Sequence, residues 1–560
     1  MNPRIPKWLL LCVIGVALGM AVFGVWWRVL GMWPLDIHLR DDAYYYFVWA
    51  GNLASGAGPC VTEGISTSGV HVLWGLLLAA FSGLVDLPTA SVWLGLALHL
   101  ACAVLVYWAA APDRILGVIA GSLYLGSHFL TYEAMNGQET AMGCLALAGF
   151  LLGYRRGTGA FFLLGLLAIA ARSDLVFLVA ALAMSTPGLR LVRLSATTGM
   201  VVCYALWNLL LAGHWLQDSA QPIAWLMAEE FRHAGTPLLE RWQPHLLSMA
   251  QFIPFRNSST PFALALLISA GIGMRRREME FPCLLLGGLM LVGFHDLWRE
   301  YPRDYYFAPL GVLGAFGLIG LVRSYPRIGL LVAVLGCLWN AKHLLDAAPT
   351  RNWQREMTMA GRFVDRFVPP GENVGCFNSG IVTWERAGRV VNLDGVVNSA
   401  AFSALRTGSL LEYLAGSEIG YLLDNPVQFA SRGVHSNGRH FGAGFDASTD
   451  LEEVARFVWP TDRSPRRSGM DGVRLYRLRS ARPAPGIGLA PADLGPAPGG
   501  QGRMVLWPGR RGQTLRISTE ALLSADADGV YVLQVPWDGR HVLQLFVDGT
   551  QQPVLTIAPD

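Results

Sequence analysis

Arg40-Asp41-Asp42-Ala43-Tyr44-Tyr45-Tyr46 stands just after the first long apolar stretch of the chain. Two adjacent carboxylates fall where a membrane-spanning segment would leave the bilayer, and a run of tyrosines follows. A general base acting on a hydroxyl group needs a carboxylate held half out of water, where its pKa can be tuned. The same residues also read as an ordinary helix start, with Asp41 or Asp42 as N-cap and first-turn acid.

Composition says that the surroundings are those of a membrane chain. Of 560 residues, 53% are hydrophobic and 15% charged, with mean hydropathy +0.38; soluble domains carry about 25% charge. The net charge of +3 gives nucleic acid no footing as a partner. Lys7 and Lys342 are the only lysines, so nearly all positive charge is arginine. Apolar runs that read as spans, about 17–25 residues when full length, lie near 8–30, 70–86, 89–110, 114–131, 139–154, 158–171, 175–189, 194–212, 259–273, 281–298, 305–322 and 327–345. Several are short. The first is too long and too Trp-rich at its exit (Trp26, Trp27, Trp33) for a signal peptide, and is read as a retained anchor.

The positive-inside rule orients them. Arg4 and Lys7 precede the first run, which puts the N-terminus in the cytoplasm and Asp41-Asp42 outside. Arg155-Arg156, Arg190 with Arg193, Arg275-Arg276-Arg277, and Arg323 with Arg327 mark cytoplasmic loops. Three runs lie between Asp42 and Glu139 where only two crossings fit. The run at 114–131, weakened by Gly117, Gly121, Ser122, Gly126, Ser127 and His128, is expected to be the partial one, which leaves about eleven crossings. This topology gathers Asp41, Asp42, Glu63, His71, Glu139, Arg172, Asp174, His214, Asp218, His295, Asp296, Arg299 and Arg303 on the external face. Ionisable groups at membrane level are costly and mark function by default.

Several of these residues lie in longer motifs. Asp41-Asp42-Ala43-Tyr44-Tyr45-Tyr46-Phe47, then Ala50-Gly51-Asn52-Leu53-Ala54-Ser55-Gly56-Ala57-Gly58, then Ser66-Thr67-Ser68-Gly69-Val70-His71-Val72-Leu73-Trp74 form one series. Gly137-Gln138-Glu139-Thr140, Ala171-Arg172-Ser173-Asp174, Tyr305-Tyr306-Phe307-Ala308-Pro309-Leu310 and Val391-Asn392-Leu393-Asp394-Gly395 come after it in order. Together they resemble bacterial GT-C glycosyltransferases, polytopic enzymes that use polyprenyl-phosphate sugars, including arabinofuranosyltransferase-like and PMT-ArnT-like members. The resemblance covers about residues 1–425. Ser68 replaces a common Asn and Val72 a common Pro.

The resemblance implies a GT-C fold and transfer of a monosaccharide from a polyprenyl-phosphate donor to a cell-envelope glycan or glycolipid acceptor. The site would face outward at a bacterial inner membrane, within reach of membrane lipid. Such chemistry needs a base for the acceptor hydroxyl and positive charge near the departing phosphate. Asp41 and Asp42 are the catalytic candidates; the resemblance favours Asp41 as base and gives Asp42 to the acceptor or a metal. Glu139 would orient a sugar hydroxyl, or simply open the helix after it. Arg172, Arg299 and Arg303 are phosphate candidates because guanidinium binds phosphate bidentately. The latter two also fit interfacial snorkelling, and Arg172 has Asp174, Glu139 or the phosphate as candidate partners. His295 with Asp296 suits a metal or a proton relay. Tyr44, Tyr45, Tyr46 and Trp49 suit sugar stacking or an aromatic belt. His71 and Tyr305 complete the substrate-binding set. No cofactor is required with certainty and a divalent metal is left open.

Two other classes stay in view. A transporter or flippase for a lipid-linked saccharide would want an internal repeat, and none is visible. A non-catalytic envelope assembly protein would not need acids clustered at the membrane face.

The chain after the spans reads as soluble. Residues 1–348 are expected to form the membrane domain with a first external loop over 31–70. An extracytoplasmic α/β domain would cover 349–480, a linker 481–503 and a small β-sandwich-like module 504–560. Trp353–Val368 reads as an amphipathic helix, and Val374–Phe377, Val390–Leu393 and Gly420–Leu423 as buried strands. Thr514–Ile517, Val530–Val535 and His541–Val547 alternate as strands of the last module. Six of eight cysteines lie in apolar runs; Cys60 and Cys376 are both expected outside and are candidates for one disulfide.

Overall fold

Asp86, Asp113 and Ser127 open three consecutive helices by accepting a first-turn backbone N–H, from Thr89 at 3.0 Å, Leu116 at 3.1 Å and Leu130 at 3.5 Å. Such caps satisfy donors that a helix start leaves orphaned. The structure, a computed structural model, describes residues 39–157, 160–234, 260–276, 278–295, 303–343, 352–386, 389–431, 436–457 and 472–479, strand segments between 502 and 557, and isolated residues between 14 and 26. It divides into two compact units: Met1–Cys60 with Ser66–Pro349, and Val61–Ile65 with Thr350–Asp560. Five residues of the loop expected over 31–70 thus belong to the second unit.

The first unit is helical. Its described helices are α1 (Asp41–Ala54), α2 (Val72–Phe81), α3 (Leu87–Ala109), α4 (Arg114–Leu125), α5 (His128–Ala134), α6 (Thr140–Arg155), α7 (Phe161–Ala171), α8 (Val176–Ala183), α9 (Arg190–Ala212), α10 (Ala220–Ala234), α11 (Thr260–Arg276), α12 (Glu280–Gly293), α13 (Ala308–Ser324) and α14 (Pro326–His343). From α3 to α9, with α4 and α5 taken as one bent pair, the chain runs alternately between two ends. One end is tied by arginines. Arg155 donates to Glu280 at 2.6 Å, Arg193 to Thr186 at 2.7 Å, Arg276 to Ser324 at 3.2 Å, and Arg323 to the carbonyls of Ala110 and Ala111 at 2.6 and 2.8 Å. The other end holds Arg40, Glu133, Glu139, Arg172 and His295. The arginine clusters read from the sequence therefore do share one end of the helices.

The partial segment is α2 and not 114–131. With ten residues, α2 rises only about 15 Å, and it lies along α1, with Trp49 packed on Gly75. The run at 114–131 instead becomes α4 and α5, bent by 63° at their break. Together they lead from the Ala110 end to Glu133 at the other, so they complete a pass. Three described helical segments are long and apolar enough to cross a membrane by length and composition: Leu87–Ala109, Pro187–Ala212 and Tyr305–Ser324. Taken as one span, the bent pair would be a fourth. The other apolar helices are shorter, so the count of about eleven crossings is not reached by that measure.

Glycines let the passes approach closely. A Cβ at Gly317 of α13 would stand 2.8 Å from the Leu266 Cα of α11, and one at Gly95 of α3 would stand 1.9 Å from the Ala134 carbonyl oxygen. Apolar side chains fill the interior, including Leu147, Phe150, Leu178 and Phe316. Others point away from it: Leu191 and Leu210 of α9 are 81% and 85% exposed.

The second unit is α/β. Helix α15 (Asn352–Phe363) precedes β1 (Asn373–Cys376), α16 (Gly380–Arg386), β2 (Val390–Asn392), α17 (Ser399–Thr407), α18 (Leu410–Gly416), β3 (Ile419–Asp424), β4 (Leu451–Phe457) and β5 (Val473–Leu478). Their sheet has the order β2-β1-β3-β5-β4. The three strands read from the sequence are its parallel part; β5 and β4 extend it antiparallel. Beyond it lie β6 (Gly502–Gly509), β7 (Thr514–Ile517), β8 (Leu522–Ser524), β9 (Gly529–Pro536), β10 (Leu543–Val547) and β11 (Leu555–Ile557). They form a four-stranded sheet, β11-β10-β7-β8, and a β6–β9 ribbon. Strand β6 begins inside the expected linker 481–503, most of which lies outside the described residues. Neither Cys60 nor Cys376 is joined in a disulfide, which corrects the disulfide expectation.

Candidate functional site

The site is built at one end of the first unit, where the starts of α1, α2, α6 and α13 meet the breaks after α5, α7 and α12. Arg40 is extended, and the helix begins at Asp41, so Asp41 and Asp42 are first-turn acids as well as candidate catalysts. Asp41 is buried and Asp42 half-buried. The Asp42 Oδ2 accepts from the Tyr305 hydroxyl at 3.2 Å and from the Gln138 amide at 3.5 Å. Tyr305 in turn lies under the Arg40 guanidinium, 4.6 Å from its ring centre.

Behind this pair is a buried hub that sequence reasoning missed. Glu133 accepts from Arg40 NH2 at 2.6 Å and from the Asn136 amide at 2.8 Å. The Asn136 side-chain oxygen Oδ1 accepts the Gln138 backbone N–H at 2.8 Å. Glu133 thus supports both donors of Asp42, through Arg40 and through Asn136. Burial works against the charge on Arg40, but the Glu133 carboxylate more than restores it, so its pKa is raised. The sequence signal was present: an acid directly after an apolar run, six residues before Glu139.

Glu139 stands at the N-cap of α6, yet its side chain makes no capping bond. Its carboxylate accepts from the Tyr46 hydroxyl at 2.7 Å and lies 3.7 Å from His71 Nε2. Burial and the neighbouring carboxylate push the Tyr46 hydroxyl well up, so it stays a proton donor to Glu139. Tyr44, Tyr45 and Trp49 are buried, packed within the unit and not presented as an exposed belt.

Arg172, at the break between α7 and the turn Ser173–Leu175, is 1% exposed. Its guanidinium grips Asp174 through Nε and NH2, and donates to the backbone carbonyls of Tyr305 at 2.9 Å and Tyr306 at 3.4 Å. Asp174 also accepts from His295 Nε2 at 2.8 Å, and the His295 ring stacks on Tyr306 at 4.0 Å. Only glycine fits opposite: a Cβ at position 143 would stand 2.4 Å from Arg172 Cδ. Of the partners open to Arg172, Asp174 is the one it holds. Arg303 precedes this segment, half-buried. Asp296 and Arg299 lie outside the described residues.

A second knot closes the same end. Asp218 accepts from the Thr67 hydroxyl at 2.8 Å and the Ser68 N–H at 3.0 Å, and its own N–H donates to the Ser68 hydroxyl at 3.2 Å. Gln217 accepts from Ser173 at 3.1 Å and Tyr204 at 3.2 Å. Ser68, where an Asn is common in the resembling motif, is therefore fully used. Among the described residues no group of three or more His, Cys, Asp or Glu side chains stands close enough to hold a metal ion.

No family model matches the chain, and no curated protein matches it. Solved structures similar in backbone include the following two. One is the oligosaccharyltransferase of Archaeoglobus fulgidus, solved in complex with Zn and sulfate, at 13% identity and a TM-score of 0.44, covering 98% of each chain. The other is ArnT from Cupriavidus metallidurans in the apo state, at 13% identity and a TM-score of 0.45, covering 82% of this chain and 97% of that one. At these values neither likeness carries an argument about chemistry, which rests on the residues of the site.

Proposed function

We propose that the chain is a GT-C glycosyltransferase of a bacterial inner membrane. It transfers a monosaccharide from a polyprenyl phosphate to an envelope glycan or glycolipid on the external face. The helical passes are crossings, with the arginine-tied end and the N-terminus in the cytoplasm. The second unit is extracytoplasmic. The outward apolar side chains of α9 support a lipid-facing surface, since patches of that kind are rare on soluble chains.

The observation that carries the reading is the gathering of Asp41, Asp42, Glu133, Glu139, Arg172 and Asp174 at the end opposite the arginine ties. In the reaction, Asp41 takes the proton of the acceptor hydroxyl while Asp42, fixed by Tyr305 and Gln138, orients it. The acceptor oxygen forms its bond to the anomeric carbon. The bond from that carbon to the phosphate oxygen breaks, and its electron pair leaves with the polyprenyl phosphate. Asp41 then returns its proton to water.

The test is mass analysis of envelope glycans and lipid extracts from a strain lacking the protein. The expected result is one sugar residue lost from the envelope and one polyprenyl-phosphate sugar accumulated. Unchanged glycans together with an unchanged lipid pool would overturn the reading.

A further inference from the structure

The end of the first unit opposite the site carries a second group of charges, and the transfer chemistry makes no use of it. Arg155 closes α6 there, half-buried. Its Nε donates to Glu280 at 2.6 Å, and its guanidinium lies over two rings, 5.3 Å from the centre of Phe281 and 4.8 Å from that of Phe316. Its Nη1 is buried and meets no acceptor among the described residues. A buried charged donor left without an acceptor is costly.

Arg323 stands on the same face of α13. Phe316, Gly320 and Arg323 are spaced i, i+4 and i+7, which is one stripe of a helix. Phe316 lies under Arg155, and Gly320 leaves room for Phe281, whose Cζ would meet a Cβ there at 2.3 Å. Arg323 is exposed, and its Nη2 donates to the carbonyls of Ala110 and Ala111. Those acceptors are neutral. Asp113, which follows them in the chain, already caps α4 through the Leu116 N–H. Within hydrogen-bond reach, and among the described residues, the two guanidinium groups share one carboxylate, that of Glu280. Farther along α12, Leu286, Leu289 and Met290 are exposed, so an apolar face begins where the charges end. Cations, an unmatched donor and an adjoining apolar face together suit an anionic amphiphile; a soluble anion would leave the apolar face unused.

We propose that Arg155 and Arg323 bind the phosphate of an anionic phospholipid, whose acyl chains lie along the exposed face of α12. In the orientation proposed above this is a lipid of the cytoplasmic leaflet; the leaflet and the bilayer rest on the transfer reading, whereas the binding does not. Guanidinium groups meet phosphate oxygens through paired N–H groups, and basic pockets between membrane helices on the cytoplasmic side take anionic headgroups. A zwitterionic headgroup brings its own ammonium toward these cations and gains less.

The test uses the full chain, stripped of lipid in detergent, with phosphatidylglycerol, phosphatidylcholine and inorganic phosphate as probes and thermal stabilisation as readout. Phosphatidylglycerol should stabilise the protein, and the other two little. Arg323→Gln should weaken phosphatidylglycerol binding about tenfold or more, which corresponds to about 1.4 kcal/mol. Arg155→Gln alone leaves Glu280 unpaired, so the double variant Arg155→Gln with Glu280→Gln removes both charges and should lose binding equally. Arg275→Gln takes an arginine from the same end, in the last turn of α11, and should change the affinity by less than about threefold.

Equal stabilisation by phosphatidylcholine, or unchanged affinity in the Arg323 and Arg155 variants, would overturn the site. An equal loss in Arg275→Gln would also overturn it, by assigning the binding to the diffuse charge of that end. Inorganic phosphate bound as tightly as phosphatidylglycerol, with both lost in the variants, would make this a free-phosphate site and overturn the lipid assignment. Wild-type protein stabilised by none of the three probes would overturn it outright. In each of these cases the envelope analysis still decides the transfer reading by itself.

Discussion

At the scale of single residues, the transfer reading turns on how Asp42 is held. Tyr305→Phe removes the 3.2 Å donor to its carboxylate while keeping the ring beneath Arg40. Hydrogen bonds to charged groups are worth about 1.5–3 kcal/mol, so turnover should fall about ten- to a hundredfold with little change in Tm; equal losses in both would mean a packing role instead. A second residue, Asp424, tests the other unit. Its carboxylate ends β3 and accepts the N–H groups of Phe377 at 3.1 Å and Asn378 at 2.8 Å. Burial pushes its pKa up from 3.8, and the Asn378 donors only partly offset this. An acid with a raised native pKa loses stability as pH rises, from the unfolded value through the raised native one, because the native state binds the proton more tightly. Asp424→Asn cannot titrate. Wild-type stability, read from exchange protection in β3, should therefore fall relative to that variant over this window and run parallel to it above. A gap that widens with pH in the opposite sense would contradict the assignment. What the sequence told at this scale was type and place: Asp41-Asp42, Glu139 and Arg172 were legible as charges at apolar boundaries. Glu133 and the Asn136–Gln138 relay were not. Their significance lies in side-chain bonds across α5, α6 and α1, which no spacing along the chain encodes.

At the scale of elements, apolar runs and turn chemistry marked nearly every helix, because a run of that composition has one stable backbone solution in an apolar setting. The error at 114–131 has a physical source. Its glycines were read as weakness, yet Gly117 and Gly121 press α4 onto Tyr107 and the Ala103 carbonyl of α3, so they are contact surfaces. The apolar run at 70–86 looked stronger, but its helix stops at Phe81 and Gly83 turns with φ +79°. The contrast between two glycines checks this view. Gly95→Ala would drive a Cβ against the backbone of Ala134 and should cost about 1–3 kcal/mol by overpacking. Gly271→Ala of α11 meets nothing within 4 Å and should gain about 0.5–1 kcal/mol in a helix interior. Thermal unfolding in detergent compares them; a stable Gly95→Ala protein would mean that α3 and α5 are not in contact. Strands β4 and β5 escaped the sequence reading because their charges, paired across the sheet as Arg474 with Glu453 at 2.9 Å, disguise the alternation that marks a strand.

At the scale of the whole molecule, the first unit sorts charge by end. Arginines tie one end of its helices, and acids, tyrosines and the Arg172 clasp occupy the other. That sorting was legible in the sequence, since each charge sits at the boundary of an apolar run and successive boundaries must alternate in side. The transfer reading depends on it, because a base, an acceptor site and a phosphate site must share one face of the membrane. The most direct measurement is restoration of the envelope sugar in a strain lacking the protein, by chains that differ in one acid. Wild-type protein should restore it and clear the accumulated polyprenyl-phosphate sugar. Asp41→Asn should be present in the membrane at wild-type level yet transfer about 10²–10⁴-fold more slowly, the range set by loss of a general base, and Asp42→Asn should also be impaired. Near-normal restoration by both variants would contradict the account.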